Sequence, residues 1–370
     1  MTRRERRRPR VTLLKNYAPA RQHSINSYGD FLEGILATLE LSAGSWRPHG
    51  VYPLFNGTAR PGFFLASLDK YGVAPIEAAF HPADILHIID NSNAWYSFTS
   101  HYNRLVVTVH DMIPWKCANG LIEGWEPSKA ARALLRVNLA AMHRADVLLA
   151  VSDTTRHDLL AAGFDQSKIR VIHNCNLNPP LVGNGDRWSG IDLSTTFVHF
   201  GAGKYPKHSE LVVAAFELVN RTVPSARLLL VGPGASNLAV KVSATSAVLA
   251  YDQITAAEVR YLYDHVAGIV MPSRYEGFGL PVLEAQESSC LIITSDGGAL
   301  AEIMQDGPLK LSRPIKVEDL AGTIVRVIQD GPFREVMKAH GRINAEQFSR
   351  ERAETGYRTF YEEFCAPAHT

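Results

Sequence analysis

The sequence has almost no net charge, few cysteines and no long apolar run. Its 370 residues carry 38 Lys plus Arg against 37 Asp plus Glu, a formal net charge of +1. No global field therefore drives it toward nucleic acid or an anionic membrane. The four cysteines, Cys117, Cys175, Cys290 and Cys365, are scattered without metal-like spacing. Buried, reduced thiols in a cytoplasmic protein are the expectation. No apolar stretch approaches the length of a membrane-spanning helix, and residues 11–14 are too short for the core of a signal peptide. No Gly-x-Gly-x-x-Gly follows the first strand, which argues against a nicotinamide or flavin enzyme. No Asp-x-Asp stands ready for a divalent metal (Asp90-Asn-Ser-Asn93 is a poor substitute), so no metal site is expected. No interleaving of aromatic and basic residues suggests nucleic acid. One imbalance is local. Arg3-Arg-Glu-Arg-Arg-Arg-Pro-Arg10 is strongly basic, and reads either as a solvated tail or as a handle for anionic lipid headgroups.

What is present is alternation. Residues 10–14, 83–89, 105–109, 146–151 and 169–172 read as short apolar strands, as expected when a parallel sheet is buried on both faces. Helical spacing falls at 27–41, 129–144 and 154–162. Together these make one doubly wound α/β half. Residues 177–194, with Asn178-Pro-Pro-Leu-Val-Gly-Asn-Gly185, are rich in turn formers and read as an interdomain linker. A second half follows, with strands at 196–200, 227–231, 267–270 and 291–294 and helices at 210–220 and 256–265. The expected fold class is α/β with two Rossmann-like doubly wound domains, 1–180 and 181–349, and a last helix in 350–370.

The chemistry concentrates in Ser273-Arg-Tyr-Glu-Gly-Phe-Gly-Leu-Pro-Val-Leu-Glu-Ala-Gln286. A buried strand precedes it, and a helix starts near Val282 with Pro281 suited to the first turn. Glu276 thus falls in the strand-to-helix loop and Glu284 about one turn into the helix. Gly277 and Gly279 let the backbone approach a ligand, and the helix start offers N–H groups to an anion. Amides for a phosphate flanked by carboxylates for hydroxyls suit a nucleotide sugar.

The string Glu276-Gly-Phe-Gly-Leu-Pro-Val-Leu-Glu284 resembles the Glu-x7-Glu signature of the retaining glycosyltransferases of family 4. Other segments resemble the family in the same order. Thr108-Val-His-Asp-Met-Ile-Pro114 is similar to an element in which His110 would face the donor sugar. Val151-Ser-Asp-Thr-Thr-Arg-His-Asp-Leu159 is similar to a turn in which Ser152 would line the acceptor side; Ser152 or Asp153 as a plain helix cap accounts for it equally well. Phe200-Gly-Ala-Gly-Lys-Tyr-Pro-Lys-His208 is similar to a glycine-led loop starting at Gly201 and ending in a phosphate-binding lysine, here Lys207. Two departures stand out. The family's usual arginine is missing from that loop, leaving Lys204 as the second charge. In place of a glycine-rich turn before the first helix stands Ser24-Ile-Asn-Ser-Tyr-Gly-Asp30, where Asn26 would hold the donor or a simple cap would suffice.

The resemblance implies the GT-B architecture, two domains facing across a cleft with the last helix crossing back onto the first. It implies transfer of a hexose, with mannose as the guess, from a nucleoside diphosphate sugar to a sugar or lipid-linked alcohol in polysaccharide or glycolipid assembly. His110, Glu276 and Lys207 would act on the reacting centre. Glu284 would take the ribose hydroxyls, the amides of Gly277, Phe278, Gly279 and Leu280 the phosphates, and Tyr251 would lie near the base. No cofactor or metal would be needed, and a peripheral contact with the inner membrane face is compatible with the basic tail. Two alternatives remain: another GT-B enzyme such as a nucleotide-sugar epimerase, or a non-catalytic sugar-binding protein.

Overall fold

The computed structural model describes residues 9–17, 23–39, 41–48, 69–178, 181–202, 205–241, 245–304 and 309–366. Lys204 and all but the end of the basic N-terminal stretch lie outside them. The chain forms two compact units. The first comprises Met1–Ala118, Pro127–His173 and Arg350–Thr370, and the second Asn119–Glu126 and Asn174–Ser349.

The first unit carries a parallel sheet in the order β2-β1-β3-β4-β5-β6. Its strands are β1 Val11–Leu14, β2 Ala43–Trp46, β3 Ala83–Ile88, β4 Tyr102–Val109, β5 Val147–Ala150 and β6 Ile169–Val171. Helices α1 His23–Thr38, α2 Lys129–His143 and α3 Asp153–Ala161 belong to it. The central strands are apolar runs because both faces are covered; Leu105, Val106, Val107 and Val109 of β4 are all fully buried. β2 was not anticipated. Ala-Gly-Ser-Trp alternates exposed and half-buried positions at the sheet edge and lacks a β-branched run.

The second unit repeats the plan in the order β12-β11-β10-β7-β8-β9. Its strands are β7 Thr196–Phe200, β8 Arg227–Val231, β9 Val248–Tyr251, β10 Gly268–Met271, β11 Ile292–Ser295 and β12 Lys310–Leu311. Its longer helices are α4 Ser209–Thr222, α5 Ala256–His265, α6 Leu280–Glu287, α7 Val317–Gln329 and α8 Gly331–Glu346. A capping box, Thr255 with Glu258, sets the start of α5. In α7, Leu320, Ala321, Ile324 and Val327 form one buried stripe. They share a core with Val212, Val213, Phe216 and Val219 of α4. Each such large side chain contributes roughly 2 kcal/mol of burial free energy.

Helix α9, Arg350–Cys365, counts with the first unit. Tyr357 and Tyr361 anchor it through buried hydroxyls. Tyr28 Oη lies 2.8 Å from Tyr357 Oη and 2.9 Å from Thr108 Oγ1, while His87 spans Thr108 Oγ1 at 2.8 Å and Tyr361 Oη at 2.6 Å. Burial pushes the His87 pKa down to about 3, so the ring is neutral and serves as a hydrogen-bond bridge.

Three sequence expectations need correction. The division falls after His173, not at 180, and residues 119–126 pack with the second unit. Asn176 and Asn178 bond to Glu287 and Glu284, and the Glu123 carbonyl accepts from Tyr205 Oη at 2.8 Å. The expected linker is part of the second unit. Trp188 is buried in it, and a Cβ on Gly185 would stand 2.2 Å from the Tyr261 ring, so a side chain there would have to displace that ring. Finally, α1 begins at His23, which makes Ser24–Asp30 the first turns of the helix, not a turn before it. All four cysteines are free, and three are buried.

Candidate functional site

In the second sheet the chain runs from β7 outward through β8 to β9, then returns to the other side of β7 with β10. The loops after β7 and β10 therefore diverge and leave a crevice at the carboxyl ends of the strands, where α/β sheets bind ligands. Lys207, from the loop after β7, and Glu276, from the loop after β10, meet there with Nζ and Oε1 2.7 Å apart. Their side chains are 18% and 15% exposed, shielded yet reachable. The stem of Lys207 lies over Gly201, where a Cβ would meet its Cε at 3.2 Å. Gly201 has a positive φ of 76°. A Cβ on Gly232, after β8, would in turn meet the Gly201 Cα at 3.2 Å, so the two loop backbones pack directly together.

Beneath this loop His199 is fully buried. Its Nδ1 lies 2.8 Å from the Val270 carbonyl and its Nε2 2.8 Å from Ser209 Oγ. A carbonyl only accepts, so Nδ1–H donates and, in the neutral ring, the Ser209 hydroxyl donates to Nε2. Burial lowers the His199 pKa to about 4, which keeps that arrangement. The ring links β7 to β10 and pins the first residue of α4, two positions after Lys207.

The Glu276 loop is stapled to its neighbour. Glu276 N–H donates to the Gly297 carbonyl at 3.2 Å, and Ala299 N–H donates to the Glu276 carbonyl at 2.9 Å. Ser295 Oγ donates to the Ser273 carbonyl and accepts from Gly297 N–H. Gly279 caps α6 in the left-handed region, and a Cβ there would meet Leu300 at 2.8 Å. Phe278, expected at the donor, has its ring buried edge-on to Phe348. Its side chain anchors the loop, leaving only its amide for a ligand. Leu280 opens α6 and is half-buried.

Glu284 sits in α6 with both oxygens engaged. Oε2 accepts from Tyr263 Oη and Oε1 from Asn178 Nδ2, each at 2.8 Å. Burial raises its pKa, and the two donors pull it back without cancelling the rise. Tyr251, at the end of β9, is half-buried, edge-on to Trp188 at 5.0 Å and with the Arg187 guanidinium 5.7 Å from its ring.

In the first unit His110 follows β4. Its Nε2–H donates to the Ile89 carbonyl at 2.9 Å, its backbone N–H donates to Asn91 Oδ1, and Tyr28 packs edge-on at 5.0 Å. Burial lowers its pKa, so the ring is neutral and Nδ1 is the lone-pair nitrogen. Asn26 lies half-buried in the first turns of α1. Ser152 is fully buried and caps α3, its Oγ accepting from Thr155 N–H at 3.0 Å. This geometry is that of the plain helix cap which the sequence equally allowed for Ser152.

Tyr263, Asn178 and His199 escaped the sequence reading. A histidine inside the apolar run of β7 was a usable signal, whereas nothing local marked Tyr263 or Asn178 as partners of Glu284.

Comparison with known proteins adds domain identity. Residues 29–175 match a family model described as Glycosyltransferase Family 4, and residues 194–330 match one described as Glycosyl transferases group 1. O-antigen chain mannosyltransferase B of Escherichia coli is 37% identical over 98 residues, covering 26% of each chain. Alpha-maltose-1-phosphate synthase of Mycolicibacterium smegmatis is 26% identical over 250 residues, 59% of this chain and 62% of that one. The chain thus matches at most 62% of the length of either relative. Among solved structures, sucrose-phosphate synthase from Thermosynechococcus elongatus superposes with a TM-score of 0.73 at 18% identity, over 96% of this chain and 99% of that one. Anabaena Alr3699/HepE, in complex with UDP and glucose, gives 0.70 at 15%, over 96% and 100%. Among the described residues, no helix is long and apolar enough to cross a membrane. One glycosyltransferase domain model thus matches within each unit, and the two-sheet fold is that of these glycosyltransferase neighbours.

Proposed function

We propose that this chain is a retaining, metal-independent hexosyltransferase of family 4. It moves mannose from a nucleoside diphosphate sugar to an alcohol on a sugar or lipid-linked sugar, on the cytoplasmic side, in polysaccharide or glycolipid assembly. The observation that carries the reading is the Lys207–Glu276 pair at the strand-order reversal of the second sheet. A cation for a leaving diphosphate and a carboxylate for sugar hydroxyls are held side by side on stapled loops.

In this reading the pair opens as the donor binds. Lys207 turns to the diphosphate, with the amides of Gly277 to Leu280 at the start of α6 alongside it. Glu276 accepts hydrogen bonds from the sugar hydroxyls and orients the anomeric carbon. Glu284 adds a ribose hydroxyl to a carboxylate already aligned by Tyr263 and Asn178; each oxygen keeps a spare lone pair. Tyr251 lies near the base, Asn26 contacts the donor, and His110 Nδ1 accepts from a sugar hydroxyl. The anomeric C–O bond breaks with its electrons leaving on the diphosphate. The alcohol attacks the oxocarbenium-like carbon from the same face, and a leaving phosphate oxygen takes its proton. Lys207 meets charge that grows through this step. The O-antigen mannosyltransferase relative supports the choice of sugar, and the neighbour holding UDP and glucose supports the class of donor.

The test is turnover of a panel of nucleoside diphosphate hexoses in the presence of EDTA. We expect one donor, a mannosyl one, to be consumed with unchanged rate. Loss of activity in EDTA with recovery on adding manganese would overturn the metal-independent mechanism.

Glu284 offers a separate check. Its contact with the ribose is the same before and during reaction, so its loss is uniform binding. Glu284→Ala should raise the donor KM by roughly 10- to 100-fold, the equivalent of one or two charge-assisted hydrogen bonds, with kcat within a few-fold. A variant with normal KM removes Glu284 from the donor site.

A further inference from the structure

We propose that Arg274 supplies the second cation for the donor diphosphate, in place of an arginine in the loop after β7. The inference rests on the donor reading of this site. It starts from a charge deficit. Lys207 is matched at 2.7 Å by Glu276, so the pair is neutral as a unit. A leaving diphosphate carries several negative charges, and the described residues of the 200–208 loop contain no arginine.

Arg274 stands beside that loop. Its backbone N–H donates to the Pro206 carbonyl at 2.9 Å, which sets its Cα next to the residue before Lys207. Its own carbonyl accepts from the Arg313 guanidinium at 3.0 Å, and Arg313 is held by Asp296. The backbone is therefore fixed on both sides, two positions before Glu276. The side chain is half-buried, with Nε 3.6 Å from where a Cβ on Gly124 would stand, beside the Tyr205 ring. The imidazole of His208, the residue after Lys207, has a lowered pKa, first through burial and next through the Arg274 charge. So the guanidinium lies on the same flank of the loop as Lys207's neighbours.

No described residue accepts a hydrogen bond from this guanidinium or forms an ion pair with it. Arg187, Arg260, Arg313 and Arg326 of the same unit each pair with a carboxylate. A half-buried cation without a counter-charge is costly, and an anionic ligand removes that cost. The planar fork also matches two phosphate oxygens at once, which an ammonium cannot do.

The test compares diphosphate with monophosphate binding. UDP, GDP, ADP and dTDP are titrated calorimetrically into the full chain, and the tightest is paired with its monophosphate. Arg274→Gln should weaken the diphosphate at least 10-fold and the monophosphate much less, with a shallower salt dependence. Arg274→Lys should recover part of the loss. Melting curves identify any variant that fails to fold, and Arg274→Lys then carries the comparison. A diphosphate-to-monophosphate preference unchanged within twofold in Arg274→Gln overturns the inference, as does loss of that preference in Lys204→Gln alone. If none of the four diphosphates binds the unmodified protein, the donor reading itself falls and this inference with it.

Discussion

Lys207→Ala is expected to lower kcat by on the order of 10²-fold or more, with the donor KM changed only a few-fold. The reason is timing. Negative charge on the leaving diphosphate grows as the anomeric bond breaks, so a cation at that oxygen stabilises the transition state more than the bound donor. The substitution has a second cost. Glu276 loses the ammonium 2.7 Å away and is left as a shielded carboxylate beside an anion. Pairing Lys207→Ala with Glu276→Gln separates the two effects. The double variant should bind donor better than Lys207→Ala alone, because the repulsion is gone, and still turn over slowly. Steady-state kinetics with varied donor decides the matter. A Lys207→Ala enzyme with normal kcat would place the diphosphate elsewhere in the site.

Gly298→Ala is expected to cost about 3 kcal/mol of stability and most of the activity. Gly298 has φ +65°, and a Cβ there would sit 2.4 Å from the Glu276 carbonyl oxygen and 2.9 Å from the Tyr275 ring. The left-handed backbone alone costs a side chain roughly 1–2 kcal/mol, and overpacking adds roughly 1–3. For a unit of this size that corresponds to a fall in Tm of about 10 °C. The obstructing atom is backbone, so relief comes by moving the Glu276 loop away from Gly298, which misplaces the carboxylate. Gly322→Ala is the control: Gly322 lies within α7 with open space around its Cα, so the same change there should be neutral or slightly stabilising. Melting curves and kcat for both variants provide the comparison. Equal Tm values would show that the 276–298 staple does not set the geometry of the loop.

The legible part of the fold was its strands. β8 and β10 are almost wholly apolar segments, and β7 is one apart from Thr196 and His199, because a parallel sheet hides both faces, so each announces itself without reference to neighbours. The edges were harder. β2 alternates exposure, and β12 has only two residues, so neither carries a run long enough to read. Helix α7 carries a clear apolar stripe, Leu320, Ala321, Ile324 and Val327, at helical spacing.

The local chemistry of the site follows from residue type alone. Glycine at 277 and 279, proline at 281 and glutamate at 276 and 284 specify a tight strand-to-helix turn with two carboxylates. Those features depend on backbone conformation within a few residues, which residue type controls directly. Partnership depended on strand order, which no local pattern encodes. Lys207 and Glu276 are 69 positions apart and meet because β10 lies against β7. The same adjacency sets Arg274 beside Pro206 and closes His199 onto Val270. Asn178, read as part of a linker, reached Glu284 only because its segment packs on the second unit, and Ser152 became a cap because the start of α3 is buried. In a parallel sheet every loop at the carboxyl end opens onto one edge. Which loops face one another there is decided by how the whole chain buries its strands.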